Sequence, residues 1–249
     1  MKKLKNLEEG SFLKLFFAFF SAAFLIAAVC MPDRNTMFSG LWQILSQPGK
    51  ISTNYFAVGG YAATFLNMGL VGLCCLGLYV LCGATVNNVS TLAFVLTLGF
   101  CSWGINILNI WPTVLGVVLY CLVKKEKLGA NVNAMLFSTG IAPLISDLLV
   151  RHPYPDVVGF NLYGFVVAMI VGIAIGFFLP AGLTHSPKVH KGFDLYSAAV
   201  PVCLFAFFLN ATLFKTMGIE LPAAPGADTL LVASRLTVNL FCGILFGLC

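Results

Sequence analysis

The fold is decided by residues 92–123, which read LAFVLTLGFCSWGINILNIWPTVLGVVLYCLV. A bilayer core accommodates about 20 helical residues, so this apolar stretch is too long for one untilted span. Its middle, residues 104–112, contains two asparagines and a proline. Lipid cannot satisfy the backbone N–H and C=O groups that such an interruption frees, so the interruption must be buried in protein or line a cavity. The stretch therefore predicts two short helices or a re-entrant pair, with a break at membrane depth.

The composition of the whole chain excludes an ordinary soluble domain. Apolar residues make up 59% and charged residues 9% of the 249 residues, and the mean hydropathy is +0.96. A soluble domain carries charge on about a quarter of its residues. We therefore expect an all-α, polytopic integral membrane protein with about eight membrane segments, two of them short, re-entrant or broken. The chain is expected to form one domain, with a cytoplasmic head at 1–11 and a membrane bundle at 12–249.

The net charge of +5 indicates topology rather than nucleic-acid binding. Basic residues gather near the N-terminus, at 124–127 and at 188–191, in short segments of the kind that stay cytoplasmic. The sequence has no long basic face with interleaved aromatic residues, so no nucleic-acid partner is expected. The lipid bilayer is the expected partner. We predict the plasma membrane, which is the inner membrane of a bacterium, with the N-terminus in the cytoplasm.

The basic cluster at 124–127 also constrains the path of residues 92–123. If both ends of this stretch are cytoplasmic, it enters and leaves the membrane on the same side. Two short spans and a re-entrant hairpin satisfy this requirement equally well. The span at 160–179 is expected to end at Pro180, before a basic loop at 185–191. The other predicted elements are spans at 12–29, 56–81, 132–150, 195–217 and 229–249, and a short interfacial helix at 38–45.

Polar side chains and helix breaks within the apolar runs are the candidate site residues. Asn106 and Asn109 are three residues apart, so on a helix they share a face. They either contact a polar solute or ion at membrane depth, or cap broken helix ends. Pro112, Gly140 and Pro143 mark two successive breaks, which are either the solute-binding interruptions of a transporter or kinks in structural helices. The candidate solute contacts are Asn67, Asn106, Asn109, Ser138, Thr139 and Asp147.

Two ionisable residues lie inside apolar runs, Asp147 and Arg235. Such residues are costly in a membrane, and they usually face a cavity or pair with each other. Asp147 is close to the end of its span, where it reaches the interface or a partner. The predicted topology places both residues toward the external side, so a direct Asp147–Arg235 pair is one hypothesis.

The sequence contains no arrangement of residues typical of catalysis or metal binding. Its nine cysteines lie without CxxC or Cys/His ligand spacing. An intramembrane aspartyl protease needs two carboxylates at depth, and only Asp147 approaches that position. A serine-type site lacks a histidine within a span, and phosphate-binding glycine loops are missing. We therefore expect no enzymatic activity, no cofactor and no metal site.

Three segments resemble an uncharacterised family of bacterial multi-pass membrane proteins, catalogued as a domain of unknown function: GGYAATFLNMGL at 59–70, NILNIWPTVLGVVLY at 106–120 and LFSTGIAPLISD at 136–147. The resemblance runs from about residue 55 to the end. Members of that family are longer and carry a second similar half, which implies that this chain is the first half. The apolar end at Cys249 likewise predicts a truncated chain. Members place Gly-Lys-Asn before the break, whereas this chain reads WGIN at 103–106 and lacks that positive charge.

Together these features predict a transporter or permease for an unidentified small solute or ion, which binds at discontinuous helices near the bilayer midplane. A second half or a second copy of the chain would complete an alternating-access structure. The alternative is a non-transporting structural or assembly subunit, whose polar residues only lock helices together. Hydration separates the two hypotheses, because the breaks of a transporter should be wet and those of a scaffold dry.

Overall fold

The computed structural model describes residues 2–48, 53–151, 159–191 and 198–212, and this part of the chain is helical without a β-strand. Three 3-10 turns, Arg34–Thr36, Leu128–Ala130 and Thr139–Ile141, connect neighbouring helices. The helices are α1 (Lys2–Cys30), α2 (Met37–Leu45), α3 (Tyr55–Leu81), α4 (Asn88–Phe100), α5 (Trp111–Lys124), α6 (Val132–Ser138), α7 (Ala142–Arg151), α8 (Leu162–His190) and α9 (Ala199–Asn210).

Four segments are long and apolar enough to cross a membrane. They are Gly10–Cys30, Tyr55–Leu81, Val132–Arg151 and Leu162–Ser186. The third of these segments comprises α6, the 3-10 turn and α7. Helices α4, α5 and α9 are apolar but shorter. The all-α fold is therefore confirmed for the described residues, and these helices have the length and apolarity that a multi-pass membrane protein requires. The total of about eight segments stays a prediction, because the run at 229–249 lies outside the described residues.

The basic segments gather at one end of the bundle. Gly10 of α1 lies beside the backbone of Val86, and Gly129, after α5, packs against the carbonyl of Cys82. The start of α1, the α3–α4 loop and the α5–α6 loop therefore share this end. Helix α8 runs beside α5 in the same direction, because Pro112 meets Gly172 and Gly116 meets Gly176. We call this end, which carries Lys124, Lys125, Lys127 and Lys191, the basic end.

Helix α4 begins at the basic end, and helix α5 ends there. They contain 13 and 14 residues, so each is roughly 20 Å long, which is less than the hydrocarbon core of about 30 Å. Residues 101–110 join them, and Asn67, halfway along α3, contacts this connection. The stretch 92–123 therefore enters and leaves at one end of the bundle, as the sequence requires.

Helix α3 is bent sharply close to its start. Gly60 has φ 84° and ψ 178°, a conformation that a residue with a side chain rarely adopts. Beyond the bend, the carboxylate of Asp33 accepts the backbone N–H of Ala62 at 3.2 and 3.3 Å and so caps the longer part of the helix. The bend turns Tyr55 back toward the connection, where its backbone N–H donates to the carbonyl of Ser102 at 3.0 Å.

The core in the basic half is built on aromatic rings from three helices. Phe17 of α1 stacks on Phe94 of α4 with ring centroids 4.1 Å apart, and Tyr79 of α3 lies 5.5 Å from Phe17. The buried Tyr79 hydroxyl donates to the side-chain oxygen of Asn133 at 2.7 Å, which ties in α6. This packing joins α1, α3, α4 and α6 in the basic half of the bundle.

One predicted boundary is wrong, and one predicted element is confirmed. Helix α8 does not end at Pro180 but continues through Pro180 and Pro187 to His190, so most of the predicted loop at 185–191 is helical. Proline is tolerated inside membrane helices because neighbouring groups can satisfy the carbonyl that loses its partner. The short helix predicted at 38–45 is present as α2.

Helices α5 and α8 approach each other at glycines. A Cβ atom added to Gly116 would collide with the carbonyl of Ile173, and one added to Gly176 would collide with the carbonyl of Thr113. Small residues at such positions allow backbones to come close, which is how membrane helices gain van der Waals contact. This crossing fixes α5, and with it one side of the connection.

We therefore expect Gly176→Ala to destabilise the protein by about 1–3 kcal/mol, because the added methyl meets backbone atoms that cannot move aside. Gly77→Ala is the matched control, since no atom lies within 4 Å of a Cβ built at Gly77 in α3. That change should be neutral or stabilise by up to about 1 kcal/mol. Thermal unfolding in detergent, followed by circular dichroism, measures both variants. Equal melting temperatures for the two variants would contradict the close crossing.

Candidate functional site

Three of the predicted site residues, Asn67, Asn106 and Asn109, meet at the connection between α4 and α5. All three side chains are at most 1% exposed. The amide of Asn67 donates to the carbonyls of Cys101 and Ile105 at 3.0 and 2.9 Å, and its oxygen accepts the backbone N–H of Ile107 at 3.1 Å. A single side chain on α3 thus satisfies three backbone groups of the non-helical segment.

Asn106 and Asn109 cap each other. The oxygen of Asn106 accepts the backbone N–H groups of Leu108 and Asn109, each at 3.0 Å. The oxygen of Asn109 accepts the backbone N–H of Asn106 at 2.9 Å. Reciprocal bonds of this kind define the start of a helical turn, because they occupy N–H groups that have no partner within the helix. The turn at 107–110 leads directly into α5.

Tyr55 and Ser146 complete this polar cluster, and the sequence did not point to either of them. The Asn106 amide donates to the Tyr55 hydroxyl at 3.2 Å. The Asn109 amide donates to the Gly104 carbonyl at 2.7 Å and to the Ser146 hydroxyl at 2.8 Å, which links the connection to α7. Tyr55 reaches the site only through the bend of α3, so no spacing along the chain could reveal it. A weak signal existed for Ser146, which lies beside Asp147 in a run already marked as interrupted.

The hydrogen-bonding capacity of the three carboxamides is almost entirely used inside the protein. Asn67 and Asn109 each donate both amide hydrogens and Asn106 donates one, which makes five of six. All three side-chain oxygens accept backbone N–H groups. Of the two hypotheses for the Asn106–Asn109 pair, this arrangement favours capping over contact with a solute.

The remaining break residues and hydroxyls behave as local structure. Pro112 and Pro143 are the second residues of α5 and α7, where a missing N–H costs no helical hydrogen bond. Gly140 lies in the 3-10 turn between α6 and α7. The hydroxyls of Ser138 and Thr139 donate to the carbonyls of Met135 and Leu136, each at 2.6 Å.

Asp147 is held by a neighbour on its own helix. The Arg151 guanidinium donates to the two carboxylate oxygens at 2.7 and 3.0 Å. The side chain of Asp147 is only 5% exposed and that of Arg151 11%. Arg235, the partner proposed from the sequence, lies outside the described residues. Among the described residues, no group of three or more His, Cys, Asp or Glu could hold a metal ion.

A cavity of about 480 Å³ lies beside the connection, and none of the three asparagines lines it. It is bounded by α4, residues 103–105, the junction of α6 and α7, and α9. Of the predicted solute contacts only Thr139 lines it, together with the break residues Gly140 and Pro143. The structure therefore separates two features that the sequence placed together. One is the carboxamide cluster, whose hydrogen bonds are made within the protein, and the other is a cavity that the three asparagines do not line.

The chain belongs to the family described as "Protein of unknown function (DUF1576)", whose sequence pattern matches residues 33–215. This confirms the resemblance to an uncharacterised family, while a bacterial origin and the assignment to a first half stay predictions. No curated protein and no solved structure matches the chain.

We expect Asn67→Leu to lower the free energy of unfolding by about 3 kcal/mol or more, because it leaves two carbonyls and one N–H of the connection buried without a partner. Leucine resembles asparagine in size, so the change tests hydrogen bonding rather than packing. Asn88→Leu is the control, since Asn88 is an exposed asparagine at the start of α4. Chemical or thermal unfolding measures both variants, and equal stability of Asn67→Leu and the unchanged protein would refute the role of this side chain.

For the Asp147–Arg151 pair, we expect Asp147→Leu to cost about 3 kcal/mol, because it removes two charge-assisted hydrogen bonds from buried groups. The double variant Asp147→Leu/Arg151→Leu should cost less than the sum of the single changes, since their mutual interaction is lost only once. Glu126→Gln provides a control at an exposed carboxylate and should change stability by less than about 0.5 kcal/mol. Strict additivity of the two leucine changes in unfolding measurements would argue against the pair.

Proposed function

We propose that the protein is a membrane permease for a small solute, which binds in the cavity beside the α4–α5 connection. The observation that carries this proposal is the position of the cavity. It is bounded by the connection at 101–110, which separates α4 from α5, and by the 3-10 turn Thr139–Ile141 between α6 and α7. Helix termini are the positions that absorb backbone rotations when domains or helices open and close.

In this proposal α4 and α5 form a re-entrant pair in the bilayer. Their length supports this arrangement, because each is too short to reach the far side. The basic end would face the cytoplasm, in accordance with the excess of lysine in cytoplasmic loops. The carboxamide cluster then holds the connection between the two helices in a fixed position near the middle of the bilayer. The solute contacts lie in the cavity rather than at Asn67, Asn106 and Asn109.

A structural or assembly subunit is the second candidate, and one observation favours it. Nearly all side-chain N–H and C=O groups of the three asparagines form hydrogen bonds within the protein, as a scaffold would require. Polar residues between membrane helices commonly act in this way without contacting a solute. The two candidates differ in whether the cavity opens to water.

Two adjacent positions distinguish a permease from a scaffold. Thr139 lines the cavity and Ser138 does not, although both are nearly buried and both hydroxyls donate to a carbonyl three residues back. Thr139→Cys and Ser138→Cys would each be made in a background without the nine native cysteines. After reconstitution into vesicles, a membrane-impermeant thiol reagent is applied from each side.

A permease predicts that Thr139→Cys reacts from at least one side while Ser138→Cys stays protected. Protection of both positions in folded protein would favour the structural subunit. Equal reaction of both would mean that the junction is generally loose, and would also count against a defined cavity. Cysteine content after denaturation confirms that every variant carries a reactive thiol.

A further inference from the structure

We infer that the cavity holds the hydrocarbon chain of a single-chain anionic amphiphile, whose head group stays at the basic end. This inference rests on the proposed function, for which it names the class of solute. It follows from the chemistry of the lining, from the length over which the lining extends, and from the end of the bundle toward which it extends.

The lining offers apolar contact and almost no hydrogen bonding. It consists mainly of aliphatic and aromatic side chains, such as Leu96, Phe100 and Val202. Its two threonines have their hydroxyl hydrogens occupied, because Thr97 donates to the Ala93 carbonyl at 2.9 Å and Thr139 to the Leu136 carbonyl at 2.6 Å. An occupant with many polar groups would lose its hydrogen bonds to water without replacing them.

No charged side chain lines the cavity within the described part of the chain. Asp147, the ionisable residue of this region, points its carboxylate oxygens at Arg151 instead. An ion or a zwitterion in the cavity would therefore be desolvated without a counter-charge, which is strongly unfavourable. The described lining therefore offers no counter-charge to an inorganic ion, an amino acid or a sugar phosphate.

A wholly apolar small molecule is an equally poor solute for a permease. Such a molecule dissolves in the hydrocarbon core and crosses it without a protein, because no polar group has to be desolvated. The solute that needs both an apolar cavity and a transport protein carries an apolar part, which the cavity shields, and a polar part, which the bilayer core rejects. That description defines an amphiphile.

The lining of the cavity extends along α4 and α9 over a length that one hydrocarbon chain can occupy. The lining begins at Ala93 and Ala198, near the starts of α4 and α9, and extends to Trp103 and Ala206. Along α9 the distance from Ala198 to Ala206 is about 12 Å at the helical rise. Of the two orientations along this direction, we propose the one with the head toward the basic end, because α4 starts there and Lys124, Lys125, Lys127 and Lys191 lie at that same end. Charge attraction to these groups selects an anionic head.

Photolabelling of the full-length protein in nanodiscs tests this inference. The probe is dodecanoate with a diazirine in mid-chain, and mass spectrometry locates the adducts. We expect adducts on Trp103 and Val202 that unlabelled dodecanoate suppresses by at least about tenfold when it is present at about ten times its dissociation constant, as mass action at one site requires. Leu122, which is 66% exposed on α5, reports labelling from bulk lipid, and its adducts should not compete.

Two comparisons test separately whether the cavity binds the hydrocarbon chain and whether the charge of the head group matters. Ala206→Phe fills the cavity and should abolish the saturable adducts while those on Leu122 persist. The same chain with a trimethylammonium head should label the cavity at least about tenfold less, because the lysines repel it. Competition in the unchanged protein remains decisive if the variant does not fold. Adducts that do not compete, or equal labelling by the cationic probe, would overturn the inference.

The outcome is distinguishable from that of the permease test. Saturable cavity adducts together with a fully protected Thr139→Cys would mean that the amphiphile is a bound structural lipid, so the ligand class stands and transport fails. A reactive Thr139→Cys without saturable adducts would mean that the cavity conducts a different solute, so transport stands and the ligand class fails.

Discussion

The structure depends on one constraint: a chain that breaks its helix at membrane depth must satisfy the freed backbone groups without water. At residues 101–110 this is done by carboxamides, because one asparagine side chain both donates and accepts. Asn67 supplies bonds from α3, while Asn106 and Asn109 exchange bonds within the segment. The same groups join α3, α5 and α7, so the device that permits the break also fixes the position of the surrounding helices.

The bend of α3 at Gly60 is a second helix break, and different groups stabilise it. At Gly60 the backbone takes a conformation that glycine adopts easily, and the Asp33 carboxylate caps the helix that resumes. Its consequence lies some distance away, because the bend returns Tyr55 to the carboxamide cluster. Close glycine contacts between α5 and α8 then hold α5, the helix that follows the connection. Two interruptions and one tight helix crossing thus support the same short segment.

For function, the important result is the division between the cluster and the cavity. Asparagines at membrane depth suggest solute binding when they are seen in a sequence, yet here their bonds are internal. The space that could hold a solute is apolar and is lined by residues 103–105 of the connection, not by these asparagines. This division is compatible with a permease, in which the carboxamide cluster holds α4 and α5 in place and the apolar cavity accepts the solute.

The sequence by itself determined the membrane class, the helical fold, the break within 92–123 and the family, because composition, hydropathy and prolines act locally. It also identified Asn67, Asn106 and Asn109 as exceptional, since a carboxamide in an apolar run needs partners. Their roles required the tertiary structure: whether an amide bonds a solute or a carbonyl depends on which groups the fold brings within 3 Å. The positions of Tyr55 and Ser146 were likewise decided by helix bending and packing. Arg151, in contrast, follows Asp147 by four residues on α7, so this pairing is local and its spacing is visible in the sequence. The cavity has no sequence signal, because it is a gap between four elements whose distances only the folded chain establishes.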